Sequence, residues 1–254
     1  GTFETENAHA AAQVLRAAGY TLHAVHTDGG HHRCGRTYLA AGMVDQAKAK
    51  ANALIDALLP FAQAGIAIVG LEPSCLLTLR DEALVMGFGA KAQTVADHAL
   101  LFEQFIAREA RAGRFALALK PLDKALLVHG HCHQKAFGVV SPILDVLKLI
   151  PGAQPELIES SCCGMAGSFG YEAAHHDVSM QMAELSLLPA VGAALVWVPA
   201  AIYLFATGSI WQGVVLIVWG VVVTGLSDNL LRPLLVGKDT KLPDYVVLIS
   251  TLGG

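Results

Sequence analysis

Along the first three quarters of the chain, short apolar runs alternate with longer stretches in which apolar residues return every three or four positions. TLHAVH (21–26), IAIVG (66–70), ALLVHG (125–130) and ELIES (156–160) are brief and bounded by Gly, Pro or polar residues, as strands are. AHAAAQVLRAAG, MVDQAKAKANALIDALLPFAQAG, TVADHALLFEQFIAREARAG and VSPILDVLKLI carry the helical period. Strand–helix alternation of this kind predicts α/β layers with largely parallel sheets. RCGRTYLAAGMVDQAKAKANAL (33–54) and CCGMAGSFGYEAAHHDVSMQMAEL (162–185) form a weak internal repeat: a Cys–Gly pair, small residues, then a helix. Two such units predict two similar lobes with cysteines on loops where strands end, the usual place for sites in open α/β sheets.

After Glu184 the pattern changes. From Leu185 to Ser227 no residue is charged. LSLLPAVGAALVWVPAAIYLFATG, interrupted by Pro189 and Pro199, and SIWQGVVLIVWGVVVTGLS are each long enough to cross a bilayer. Thr207–Gly208–Ser209 reads as the hinge of a C-terminal transmembrane helical hairpin. Trp197, Tyr203, Trp211 and Trp219 are the expected interface anchors for some of these ends, and residues 189–227 would contact lipid. The competing reading is a pair of buried core helices. Arg232, Lys238 and Lys241 follow the second run, which predicts a cytoplasmic domain tethered to the inner membrane.

The chain has 254 residues, a net charge of −4 and a mean hydropathy of +0.51. No excess of Lys and Arg points to nucleic acid. Its five cysteines (Cys34, Cys75, Cys132, Cys162 and Cys163) are an odd set, and the opening GTFETENAHAAA is polar, unlike a secretory signal. That combination favours a reducing compartment and metal or redox chemistry over a disulfide framework. The opening Gly1 suggests a fragment.

Thiolate sulfur is the preferred ligand of iron–sulfur clusters and zinc. Cys162 and Cys163 are adjacent, and neighbours reach disulfide geometry with difficulty. On a loop loosened by Gly164 and Gly167 they can aim two sulfurs at one centre. Cys132 follows the run ALLVHG and is the expected third sulfur. Cys75, at the start of a predicted helix, is expected to have a lowered pKa. Packing of free cysteines as small apolar residues is the alternative, most of all for Cys34. HGHCHQKAFG also invites zinc through His129, His131, Cys132 and His133, although consecutive ligands suit a tetrahedral site poorly. His131 and His133 are read instead as hydrogen-bonding beside the site and tuning its charge. His31, His32, His175 and His176, with Asp81 and Glu82, are read as solvated.

CCGMAGSFGYE, HGHCHQKAFG, GLEPSCLLTLRDE and RCGRTYLAAG together resemble the cysteine-rich CCG domains of iron–sulfur oxidoreductases over about residues 3–188. Relatives of that kind include the iron–sulfur parts of flavin-linked glycolate, lactate and glycerol-3-phosphate oxidoreductases and the CCG-bearing subunit of heterodisulfide reductase. The resemblance implies that Cys34, Gly35 and Cys75 belong to a first unit, and Cys132, Cys162, Cys163 and Gly164 to a second. It implies an iron–sulfur cluster of 4Fe-4S type, and FAD on a missing domain or a flavin-containing partner subunit. Arg33 stands where the first unit's leading cysteine would be, and Glu72 where its CxxC would begin. The isolated first cysteine is expected beyond the N-terminus, and the second unit's closing cysteine is replaced by the apolar run.

The tail, from LLPAVGAALVWVP through DNLLRPLLVGK to the end, resembles the C-terminal part of the autoinducer-2 exporter family. LSLLPAV (185–191) fits both families, so the chain reads as a chimera. The expected domains are a first CCG unit (1–120), a second (121–188) and transmembrane segments (189–254). The function expected is an iron–sulfur electron-transfer module fused to a membrane segment. The alternative is a transporter fragment carrying a non-functional passenger.

Overall fold

A computed structural model of the chain describes residues 5–25, 32–160 and 162–191, with residues 211 and 215. It divides into two compact units, Gly1–Glu156 and Leu157–Gly254.

In the first unit α1 (Thr5–Ala17) is followed, after an extended segment, by a short α2 (Arg36–Ala40) and the long α3 (Val44–Gln63). Ala47, Ala51, Ile55, Leu58 and Ala62 are buried on α3, a stripe at three- and four-residue spacing that turns one face inward. There follow β1 (Ile68–Gly70), α4 (Pro73–Arg80), α5 (Glu82–Val85), α6 (Ala90–His98) and β2 (Ala99–Leu101). β1 and β2 pair in parallel, Ile68 opposite Ala99 and Gly70 opposite Leu101. The helices α4 to α6 form the crossover that a parallel pair requires.

Side chains alternate across this small sheet. Ile68 packs with Ile55, Leu58, Leu79 and Val95 from α3, α4 and α6. Ala99 and Leu101 pack with Leu76 and Leu77 of α4. Val69 and Leu100 face the other way, onto Leu15 of α1 and onto Phe105 and Ile106 of α7 (Phe102–Arg111). Ile55, Leu77 and Leu101 are fully buried, each contributing roughly 1.5–3 kcal/mol from burial. The unit continues through β3 (Ala125–Val128), α8 (Cys132–Ala136) and α9 (Ser141–Leu147) to β4 (Gln154–Leu157), which pairs with β3.

In the second unit a bend at Gly164 and a turn at 166–168 lead through two single 3-10 turns (Phe169–Tyr171 and Ala173–His175) into α10 (His176–Glu184).

Several expectations need correction. The fold is not two lobes built on largely parallel sheets; it is mainly helical, with two separate two-stranded sheets among the described residues. The stretch 94–113 is not one helix. Ala99–Leu101 breaks it as a strand, because these residues must send side chains into cores on both faces of the sheet, which a helix cannot do with consecutive residues. Residues 21–25 make no strand, although Leu22 and Val25 pack against the cores. The fourth strand lies at 154–157 instead of 156–160. The expected transmembrane hairpin is not found: no described helix is long and apolar enough to cross a membrane. Most of the stretch assigned to it, including Trp197, Tyr203 and Trp219, lies outside the described residues.

Candidate functional site

The two Cys–Gly pairs share one backbone feature. Gly35 and Gly164 both have φ of +86°, a left-handed conformation that glycine adopts without a Cβ penalty. Both glycines also lie against a backbone carbonyl of a following helix. A Cβ on Gly35 would sit 2.5 Å from Ala47 O of α3, and one on Gly164 would sit 2.0 Å from Ser179 O of α10. Glycine is therefore required at each turn twice over, by dihedral and by space.

In the first turn the buried Cys34 sulfur is hydrogen-bonded to the exposed Cys75 sulfur at 2.7 Å. Cys75 belongs to the first turn of α4. Glu72 caps that helix by accepting from the Cys75 N–H, Pro73 follows as its first residue, and Ser74 Oγ donates to Glu72 Oε1 at 2.6 Å. Burial pushes the Glu72 carboxyl up, but the hydrogen bonds from Ser74 and Cys75 outweigh it and leave the pKa below the usual range.

The two thiols split in acidity. The hydrogen bond from Cys75, helped by the Arg36 N–H and opposed by burial, brings Cys34 down to about 7. Cys75 is raised far above its ordinary value by its bond to Cys34, by burial, and by the charges of Cys34 and Glu72. The lowered pKa expected for Cys75 at a helix start is thus corrected. The carboxylate cap takes up the N–H groups that would have favoured a thiolate there, and adds a negative charge.

His131 and His133 lie at the start of α8. His131 Nδ1 accepts from the His133 N–H at 3.2 Å, Gln134 Oε1 accepts from the His131 N–H at 2.9 Å, and the two rings stack at 5.2 Å. Burial lowers the His131 pKa, Glu72 opposes it, and His133 and Arg36 add to it. His131 therefore feels the charges beside Cys75. Cys132, between the two histidines, is exposed. Glu82, expected to be solvated, is half-buried and paired with Arg36.

In the second turn Cys162 Sγ accepts from the Gly164 N–H at 3.3 Å, and Cys163 is half-buried. Ser179 Oγ donates to Gly164 O at 2.9 Å, tying the turn to α10. Ala166 takes φ of +40°, the only such non-glycine among the described residues. His175, expected to be solvated, stacks on Phe169 at 4.1 Å.

These donors do not complete the ligand set of an iron–sulfur cluster. Four cysteine thiolates hold a cubane cluster. Among the described residues no group of three or more His, Cys, Asp or Glu side chains is placed to hold a metal ion. Two thiolates on one tetrahedral ion with bonds near 2.3 Å stand roughly 3.8 Å apart, whereas Cys34 and Cys75 are at 2.7 Å. The first pair does not fit a shared metal, and the second turn offers two sulfurs of the right chemistry with no third ligand among the described residues.

Sequence reasoning missed the cap at Glu72, for which the Glu-Pro-Ser string was the available signal. It also missed buried Glu109. Its carboxylate accepts from Arg114 at 2.8 Å twice, from Arg108 at 3.0 Å and from Tyr20 Oη at 3.3 Å. These bonds, led by Arg114 and opposed by burial, hold its pKa at about 2.

Comparison with known proteins gives two kinds of relative. The chain is 29% identical over 148 residues to a subunit of the anaerobic glycerol-3-phosphate dehydrogenase of Escherichia coli K12, covering 58% of this chain and 37% of that protein. It is 28% identical over 159 residues to D-2-hydroxyglutarate dehydrogenase of the same organism, covering 60% of this chain and 14% of the relative. It is also 34% identical over 113 residues to a putative transport protein of Aquifex aeolicus, covering 43% and 31%. The chain thus spans well under half the length of each of these relatives. No solved structure matches it. The transporter match begins at residue 153, upstream of residue 185 where the tail's resemblance was placed, and so takes in Cys162, Cys163 and Gly164. The chain therefore carries two resemblances of different kinds, as a chimera does: it is similar to subunits and enzymes of the dehydrogenase class, and its residues 153–254 match the AI-2E family transporter model.

Proposed function

We propose that the cysteine-bearing part of this chain is the electron-transfer module of a flavin-linked oxidoreductase, of the type that oxidises 2-hydroxy acids or glycerol 3-phosphate. The observation that carries this reading is the recurrence of one turn, Cys–Gly with φ of +86° packed on a helix carbonyl, at Cys34–Gly35 and Cys163–Gly164. Similarity to a dehydrogenase subunit supports it. Bound iron would rest on sulfur from Cys162 and Cys163 together with ligands from outside the described residues, with His131 and His133 setting the charge near Cys75 and Cys132 in the first unit. FAD would belong to a partner subunit.

Anaerobic purification followed by iron and sulfide quantification and low-temperature electron paramagnetic resonance tests the reading. The expected result is bound iron with a cluster signal that falls at least tenfold in Cys162→Ser or Cys163→Ser. Iron-free, colourless protein overturns it.

A second reading rests on the match of residues 153–254 to the transporter family. On it the chain is a piece of a membrane transporter with a silent passenger. It predicts sedimentation with membranes that persists when all five cysteines are changed to serine. Release of the chain into the soluble fraction counts against it.

A further inference from the structure

Forty-one positions separate Cys34 from Cys75, yet their sulfurs meet at 2.7 Å. Three features of the surroundings bear on what such a contact does. It is too close for two ligands on a common tetrahedral ion, and no third donor among the described residues joins it. Both sulfurs sit on constrained backbone: Cys34 on the turn that Gly35 seats against α3, Cys75 in the capped first turn of α4. Access is one-sided, since Cys34 is 7% exposed while Cys75 is open to solvent.

We propose that Cys34 and Cys75 form a reversible dithiol–disulfide pair that exchanges electrons with a low-molecular-weight disulfide of the glutathione class. Closing the bond needs the sulfurs to approach by roughly 0.7 Å, to a length near 2.0 Å. The pair needs neither iron nor flavin and stands apart from the electron-transfer reading.

Exchange proceeds through a mixed disulfide. The negative charge of the pair sits on Cys34, 2.7 Å from Cys75, and only Cys75 is open to an incoming disulfide. Cys75 attacks one sulfur of the small disulfide as its proton passes to Cys34. That S–S bond breaks, and the first small sulfur leaves as a thiolate. The Cys34 sulfur then attacks the Cys75 sulfur and displaces the second small thiol, which takes the proton from Cys34. The two protein sulfurs lose two electrons, the small disulfide gains them, and the one proton of the pair ends on the second released thiol.

The test uses the full chain, purified anaerobically and assayed for iron. It is equilibrated in buffers of rising oxidised-to-reduced glutathione ratio, quenched with acid, alkylated and mapped by mass spectrometry. A Cys34–Cys75 linkage in most chains at the oxidising end, reversed by reduced glutathione, is the expected result. If both cysteines remain alkylatable at the highest ratio, end as separate glutathione adducts, or link to other cysteines, the proposal is overturned. Two variants check the order of attack. Cys34→Ser should accumulate glutathione on Cys75 at least fivefold over the parent chain, whereas in Cys75→Ser the buried Cys34 should remain unmodified. Rapid modification of Cys34 in Cys75→Ser, with none on Cys75 in Cys34→Ser, refutes the order given. Iron content, read on the same sample, reports separately on the electron-transfer reading.

Discussion

At residues 34–35 and again at 163–164 a cysteine precedes a glycine with φ of +86°, and each glycine is pressed on a carbonyl of a following helix. The surroundings of the two turns then diverge. The first turn's sulfur is buried and meets a second sulfur carried by α4; the Cys162 sulfur beside the second turn accepts from the N–H of Gly164. Where α3 offers Ala47 to its glycine, α10 offers Ser179, whose hydroxyl binds back to the turn. One backbone device can therefore be repeated while the chemistry attached to it differs. The turn positions a cysteine, and what packs opposite decides whether that cysteine is paired, solvated or left for a ligand.

The most damaging way to probe the shared device is Gly164→Ala. The new Cβ would lie 2.0 Å from Ser179 O at a left-handed φ, so strain and overlap together should cost about 2–5 kcal/mol. Gly35→Ala, with its contact at 2.5 Å, should cost somewhat less. Hydrogen exchange of α10 and α3 amides reads each turn in its own unit. Unchanged protection in both variants would show that neither turn depends on its glycine, and a loss in one alone would break the equivalence of the two turns.

Acid should separate the units next. Glu109 is held at about 2 against an ordinary 4.5. A carboxyl depressed in the folded state stabilises fully above its unfolded value and loses that contribution as pH falls through the folded one. The first unit should weaken progressively between about pH 4.5 and 2, and Glu109→Gln should flatten that dependence while lowering stability at neutral pH. The described ion pairs of the second unit, His175–Glu172 and His176–Asp177, are exposed, so α10 should respond little to Glu109→Gln. Urea unfolding across pH, followed by amide exchange in each unit, checks both statements. A slope unchanged by Glu109→Gln would show that the buried carboxylate does not set the acid response.

The smallest effect expected is at Ser179. Ser179→Ala deletes the buried bond to Gly164 O, and a loss of about 1 kcal/mol should follow. Denaturant unfolding measures it. Full retention of stability would mean that this bond does not hold the turn.

Much of the helical part is legible in the order of residues alone. The stripe Ala47, Ala51, Ile55, Leu58 and Ala62 is written into the spacing of α3, and the repeat of Cys–Gly followed by a helix is visible in two strings of letters. β2 is not legible there. Ala99–Leu101 sits inside a run whose period suits a helix on both sides, and only pairing with Ile68–Gly70 makes it extended. The direction of the Cys75 shift escapes sequence reasoning for a similar cause. A helix start favours a thiolate when its N–H groups are free; in this chain the bond to Cys34 and burial raise Cys75, and Glu72 accepts the N–H and adds its charge.

By itself the sequence determined where cysteine and glycine recur together and that two resemblances meet in one chain, because these depend on residue type and local order. Tertiary structure decided which cysteine meets which. Cys34 and Cys75 are brought to 2.7 Å only because α2 and α4 pack together across 41 positions of chain. Local propensities do not encode such a contact; burial of the surrounding apolar side chains does.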